Sequence, residues 1–276
     1  MFFYRIFCIF LSLVFVSGLS QPSKFGKITT EHWNIKDCNF DSISNSIILF
    51  DIGNITIQSK EGVNNSDSEC KLKDEFFNLL FERHYRIKIL LNNGLTSDHV
   101  SINLRSINGK KDQLTSFQGI LFTQMKGKAE QVKFNINDLK ELTNQNGSSR
   151  KILDMSDIKA GSILDIRYRI ETNILNEIPY WNFKSEYPDL YSEINYYIPD
   201  FFLLSKKCDI INNLTYDIFN KGVEYLVSYP LSDGWKISKY SYTEHHEKYS
   251  LANIPASKEL DEMYVLNYII NSIKYY

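Results

Sequence analysis

Residues Ser162–Thr172, SILDIRYRIET, alternate with a period of two. Leu164, Ile166, Tyr168 and Ile170 fall on one face, and Asp165, Arg167 and Arg169 on the other. A helix, at 3.6 residues per turn, would scatter both sets around its axis, so the pattern requires a strand with one face buried. Only Ile163 breaks it, an apolar side chain on the charged face. The same alternation, or β-branched and aromatic enrichment between turn residues, predicts strands at Ile28–Trp33, Ser46–Phe50, Asn54–Ser59, Glu82–Ile89, His99–Arg105, Gln113–Thr123 and Gln131–Ile136. Further strands are expected at Leu214–Phe219, Val223–Val227, Trp235–Tyr242 and Met263–Tyr276.

Between them, Gly53, Asn92–Gly94, Asn108–Gly109 and Asp233–Gly234 read as turns, and Val63–Asp74 and Gln145–Ser149 as polar loops. Asn137 is placed to cap one helical turn over Asn137–Leu142. Many short strands, almost no helical window and no alternation of strand with helix predict an all-β chain. The expected architecture is an antiparallel β-sandwich of two packed sheet units with little helix.

The first twenty residues carry one charge, Arg5, followed by the apolar run Ile6–Val16 and then Ser17–Ser20. A positive start, a short apolar core and small residues two apart form a secretory signal peptide, with cleavage expected after Ser20, before Gln21. The run falls well short of the roughly 20 residues that span a bilayer. Export to a periplasm, cell envelope or extracellular space is expected, with no transmembrane segment after cleavage. Residues 1–20 are thus the signal, 21–250 the β-sandwich region, and 251–276 a C-terminal strand segment.

Formal net charge is −2, which gives no electrostatic reason to expect nucleic acid. Cys38, Cys70 and Cys208 follow the signal. An oxidising compartment permits one disulfide among them, and Cys38 with Cys70 is the expected pair, since both lie in the N-terminal part. No CxxC pair is present, so no zinc site is expected. Sequons stand at Asn54, Asn64, Asn146 and Asn213.

Chemistry is sparse. Cys208, with His245 or His246 and Asp261, has the residue types of a thiol nucleophile. However, it lies in strand and loop sequence with no helix N-terminus to acidify it. Glu244–His245–His246–Glu247 lacks the one-turn spacing that brings two imidazoles to one metal, and in a strand adjacent His side chains point apart. His32, His84 and His99 stand alone and read as packing or surface residues. Glu171, Glu177, Glu186 and Glu193 cannot be paired across a cleft from sequence. No catalytic, cofactor or metal residue is assigned.

One stretch has two readings. Tyr180, Trp181, Tyr191, Tyr196 and Tyr197 belong to an aromatic belt that either grips a ligand or partner, or fills the space between sheets.

Several segments taken in order resemble the DUF3857 region of bacterial transglutaminase-like proteins. They begin with Phe25–Thr29, Asp41 and Ile48–Gly53. Tyr85–Leu90 with Gly94, Ile158–Tyr168, Trp181–Phe183 with Glu193, and Asn253–Glu259 follow. The resemblance implies an exported β-rich region that usually precedes a papain-fold domain carrying Cys, His and Asp. That domain is not in this sequence. The resemblance therefore implies a non-catalytic scaffold or interaction module, with a protein partner or a downstream transglutaminase-like domain as its neighbour. Two alternatives are the front half of an envelope transglutaminase-like cysteine peptidase and a glycan-binding module using the aromatic belt.

Overall fold

A computed structural model describes residues 24–59, 77–92, 94–95, 100–125, 128–155, 158–208, 213–231, 234–257 and 265–273. The signal segment, the Ser20/Gln21 junction, Cys70, Asn64, His99, the Asp233 turn position and Asp261 lie outside these residues.

A short helix, α1 (Thr30–Asn34), precedes β1 (Ser46–Ser59), β2 (Phe77–Ile89), β3 (Val100–Leu104), β4 (Ser106–Ile107), β5 (Lys110–Lys111) and β6 (Gln113–Met125). Next come β7 (Lys128–Asn135), β8 (Lys140–Thr143), β9 (Ser149–Leu153), β10 (Ile163–Thr172), β11 (Trp181–Asn182) and β12 (Asp189–Pro199). The chain continues through β13 (Phe202–Cys208), β14 (Thr215–Leu231), β15 (Gly234–Ile254) and β16 (Val265–Ile273).

The fold is an all-β sandwich. One layer is an eight-stranded sheet ordered β14-β15-β12-β1-β2-β10-β6-β7. Two three-stranded sheets, β11-β16-β13 and β3-β9-β8, pack on one of its faces. The interface takes the inward rows of β2 (Phe77, Leu79, Phe81, Tyr85, Ile87, Ile89) and of β10 (Leu164, Ile166, Tyr168, Ile170). Facing them are Val100, Ile102 and Leu104 from β3, with Trp181, Phe202, Leu266 and Tyr268 from the other small sheet. Pairing is antiparallel throughout except between β1 and β12, which run parallel. The long segment between them allows this, because a parallel partner needs a crossover connection.

The opposite face is covered at one end by residues 24–41. Ile163, the residue that broke the alternation, packs there with Ile120 and Phe122 against Phe25, Ile28 and Trp33. An apolar side chain on the polar face was thus the mark of a third layer. Cys38 packs with Ile47, Leu49, Phe50 and Ile52 in a neighbouring cluster, where a bulge between Ile48 and Phe50 turns both Leu49 and Phe50 to this side.

Several local expectations change. Ile28–Trp33 is not a strand, because Thr29 caps a helical turn: its hydroxyl accepts from the His32 N–H while the His32 ring accepts from the Thr29 N–H. Gly53 is not a turn; β1 runs straight through it. The one-turn 3-10 helix at Ile136–Asp138 is capped by Asn135, not Asn137. Leu214–Phe219 and Val223–Val227 fuse into β14. By contrast, Asn108 (φ 49°) and Gly109 (φ 79°) both adopt the left-handed conformation expected of the β4–β5 turn.

The expected division at 250/251 falls inside β15. β16 is the middle strand of its sheet, paired with β11 on one side and β13 on the other. The large sheet has edges at β7 and at β14, where Tyr216, Ile218 and Phe219 are exposed.

Candidate binding groove

The aromatic belt does not form one surface. β12 alternates, so Tyr196 (1 % exposed) points into the sandwich while Tyr191 and Tyr197 lie on the other face. Tyr196 packs against Tyr268 with ring centres 4.6 Å apart and the planes tilted by 56°. Trp181 is 3 % exposed, with its indole N–H donating to Ser192 Oγ at 3.1 Å. Both rings are packed in the core between the sheets, although Trp181 also borders the groove beside Tyr180. Tyr191 is occupied on the far face, where its hydroxyl donates to Glu193. That carboxylate also takes Asn195 Nδ2 at 2.9 Å and Lys248 Nζ at 2.7 Å. Burial alone would raise the Glu193 carboxyl, yet these donors together hold it below the ordinary range. Tyr197 stands edge-on to His246 at 4.6 Å.

Tyr180 differs, being 61 % exposed. It stands beside a groove of about 740 Å³ between the large sheet and the two small ones. Phe81 and Arg83 of β2 with Tyr168 and Ile170 of β10 form its floor. Ser101 and Asn103 of β3 form one wall, and Asn182 with Ile269 and Ile270 of β16 the other.

The two arginines of this groove are used internally, while Glu177 and Lys184 also line it. Arg83 forms a two-pronged pair with Asp51, Nε to Oδ1 at 2.8 Å and Nη2 to Oδ2 at 2.5 Å. Its guanidinium also lies 5.1 Å from the ring centres of both Tyr85 and Trp181. Burial opposes the charge on Arg83, but Asp51 outweighs it and keeps the arginine charged. Burial pushes the Tyr85 and Tyr168 hydroxyls above the usual phenol range. Beneath them Asp189 is pushed well above the carboxylate range, by burial and by the neighbouring Asp51 charge. Arg105 pairs with Asp112 through Nε (2.8 Å) and Nη2 (3.0 Å) and donates Nη1 to the Glu177 carbonyl at 2.5 Å. The groove therefore offers an exposed phenol, amides and hydroxyls, with no uncompensated arginine charge.

The second polar constellation lies on the opposite face and was not foreseen. Asp165, wholly buried, accepts from His84 Nε2 (2.8 Å), Arg86 Nη2 (2.7 Å) and the Gly26 N–H (2.7 Å). His84 therefore does not stand alone. Two alternating rows carried the signal, His84–Arg86–Lys88 on β2 and Asp165–Arg167–Arg169 on β10. The register places Asp165 opposite Arg86 and Arg167 opposite His84.

The remaining candidates stay apart. Cys38 is buried with no disulfide partner among the described residues, and burial raises its thiol above the ordinary value; its expected partner Cys70 lies outside those residues. Cys208 ends β13 opposite Leu266. His245 and His246 lie on opposite faces of β15. His245 is bonded to Asn220 Oδ1 at 2.7 Å, and His246 to Glu244 Oε1 at 2.5 Å. Among the described residues no group of three His, Cys, Asp or Glu side chains is arranged to hold a metal, and no helix is long and apolar enough to cross a membrane. The sequon at Asn54 sits within β1, its side chain bonded to Asn195 at 3.2 Å.

No family model and no curated protein matches the chain. Among solved structures it is similar to a Parabacteroides distasonis protein described as a candidate protease, at 12 % identity and a TM-score of 0.48. The match covers 81 % of this chain and 40 % of the other. A likeness of that size identifies neither family nor activity.

Proposed function

We propose that this chain is an exported, non-catalytic interaction module of the bacterial envelope whose working surface is the groove beside Tyr180. One observation carries the reading: both groove arginines are neutralised by internal partners, while an exposed phenol and several amides remain for a ligand. Such a surface matches a neutral, polar segment of a partner protein, for which Tyr supplies wide contact at small entropic cost. The ordered resemblance to the DUF3857 region supports the same assignment, since that region accompanies another domain.

A photo-crosslinking amino acid at position 180 tests this in the native cells. It should capture one discrete protein, and the same group at Val132, on the edge strand β7, should not. Equal capture at both positions, or none at 180, would sink the idea.

A glycan is the second reading, favoured by the side-by-side placement of Tyr180 and the groove amides. Retention on envelope polysaccharide that disappears in Tyr180→Ala would select it over a protein partner.

A further inference from the structure

The opposite face of the large sheet carries a second groove, about 740 Å³ in volume. Lys24 and Phe25 close one side, and the rest of its lining includes Asn54, Glu82, His84, Ser116, Arg167 and Arg169, with Arg83, which is paired to Asp51.

Its charges do not cancel. Arg169 is bonded to Glu82 through Nε (3.0 Å) and Nη2 (2.6 Å), which removes both from the balance. Asp165 behind the groove is matched by Arg86. Arg167, in contrast, makes only neutral contacts among the described residues: Nε donates to Gln118 Oε1 at 2.7 Å, and the guanidinium lies 4.4 Å from the centre of the Phe25 ring. Lys24 has no carboxylate partner among the described residues, although its carbonyl accepts from Arg86. Two positive charges thus remain over one concavity of a protein whose formal net charge is −2.

The donors are also held in place. Gln118 and Phe25 fix the plane of the Arg167 guanidinium. Asp165 fixes the ring of His84, which stands edge-on to Phe25 and Phe50 at 5.7 and 4.9 Å. The Gly26 N–H bonded to Asp165 seats Lys24 and Phe25 at the rim. Side chains oriented before a ligand arrives lose little entropy on binding it.

We propose that this groove is an anion site that takes the carboxylate or phosphate group of a small molecule, with Arg167 and Lys24 as its charged donors. A planar guanidinium with free terminal amino groups matches an oxyanion's paired oxygens, and Lys24 adds a point charge. Arg83 and Tyr168 line both this groove and the one beside Tyr180, but Arg167 and Lys24 belong to this groove alone, so their substitution tests it without touching the other.

The test is an NMR titration of the full chain with inorganic phosphate and, separately, with citrate. Saturable one-to-one shifts of the Arg167 Nε–H and the Gly26 N–H are expected. Affinity should weaken about tenfold in Arg167→Gln, as loss of a charged hydrogen bond requires. It should weaken again in Lys24→Gln/Arg167→Gln, with the melting temperature unchanged in both. Stronger binding of phosphate or of citrate identifies which oxyanion the site prefers. The proposal is overturned if neither anion gives saturable shifts, if chloride gives the same shifts, or if the variants bind as the wild type does.

Discussion

Arg86 and Asp165 face each other on neighbouring strands with both side chains wholly buried, Nη2 to Oδ2 at 2.7 Å. The pair lies on the polar face of the large sheet, and the N-terminal segment is what buries it. Arg86 also donates to the Lys27 carbonyl at 2.9 Å, and Lys88 to the Gly161 carbonyl at 2.7 Å. Cutting such a pair in half leaves an uncompensated charge in low dielectric. Asp165→Asn should therefore cost about 3 to 5 kcal/mol, read from the urea midpoint. A loss under half of the lower figure would mean that the segment opens to water.

The same carboxylate sets an acid limit. Burial pushes Asp165 up, but the hydrogen bonds from His84 and Arg86 outweigh it, so its net direction is down. A depressed carboxylate contributes stability that is complete above the unfolded value, about 3.9, and is lost as pH falls through the folded value. Chemical-denaturation stability should fall below about pH 4 in the wild type. In Asp165→Asn the fall should be shallower. Parallel curves would show that other carboxylates govern acid unfolding.

Gly53 lies where Trp181 and Ile194 close over β1. An added Cβ would stand 2.5 Å from Ile194 Cδ1 and 2.6 Å from Trp181 Cζ3. The isoleucine tip can turn aside, whereas the buried indole, tied to Ser192, cannot. Gly53→Ala should destabilise by about 1 to 3 kcal/mol through overpacking, measured by thermal unfolding. An unchanged melting temperature would contradict the close approach.

Tyr180 and Trp181 are adjacent and should respond oppositely. Tyr180→Ala removes an exposed ring and should leave stability within about 0.5 kcal/mol. Trp181→Ala empties a core site and should cost about 3 to 5 kcal/mol. Binding studies with Trp181→Ala would therefore confuse unfolding with loss of a contact. Equal stability of the two variants would refute the assignment of faces.

Tyr268 of β16 ties the small sheet to the large one. Its hydroxyl and that of Tyr249 both donate to Glu247. Burial and the Glu247 charge push the Tyr268 hydroxyl far above the usual phenol range. Tyr268→Phe should cost about 1.5 to 3 kcal/mol, the range for a hydrogen bond to a charged group. An alkaline absorbance titration of the wild type should show this phenol silent until unfolding, and early ionisation would place it in solvent.

Much of the candidate chemistry was present in the sequence as alternation, but not its meaning. The row Asp165–Arg167–Arg169 is plainly polar in SILDIRYRIET, and a polar face normally means solvent. The sequence could not show that half of this row is covered while the other half lines a groove. That depends on residues 24–41 folding back over it, more than a hundred positions away in sequence. Similarly, Asp41 and the Asn253–Glu259 motif carried part of the family resemblance separately. The fold joins them, with the Ala256 N–H on Asp41 Oδ2 at 3.0 Å. The aromatic belt failed as a unit for a related reason. β12 sends Tyr196 inward and Tyr197 outward, and only the packing of β11 and β16 decides that Trp181 is covered while Tyr180 is not.

From the sequence alone came the all-β class, many of the strands and the Asn108–Gly109 turn, because these depend on period-two alternation and on the φ preferences of a few residues. The tertiary structure decided which strands are neighbours, that β1 and β12 run parallel, which charges are paired and which aromatic ring remains outside. Those outcomes arise from contacts between distant segments, where burial makes an unpaired charge costly and leaves little room for a misplaced ring.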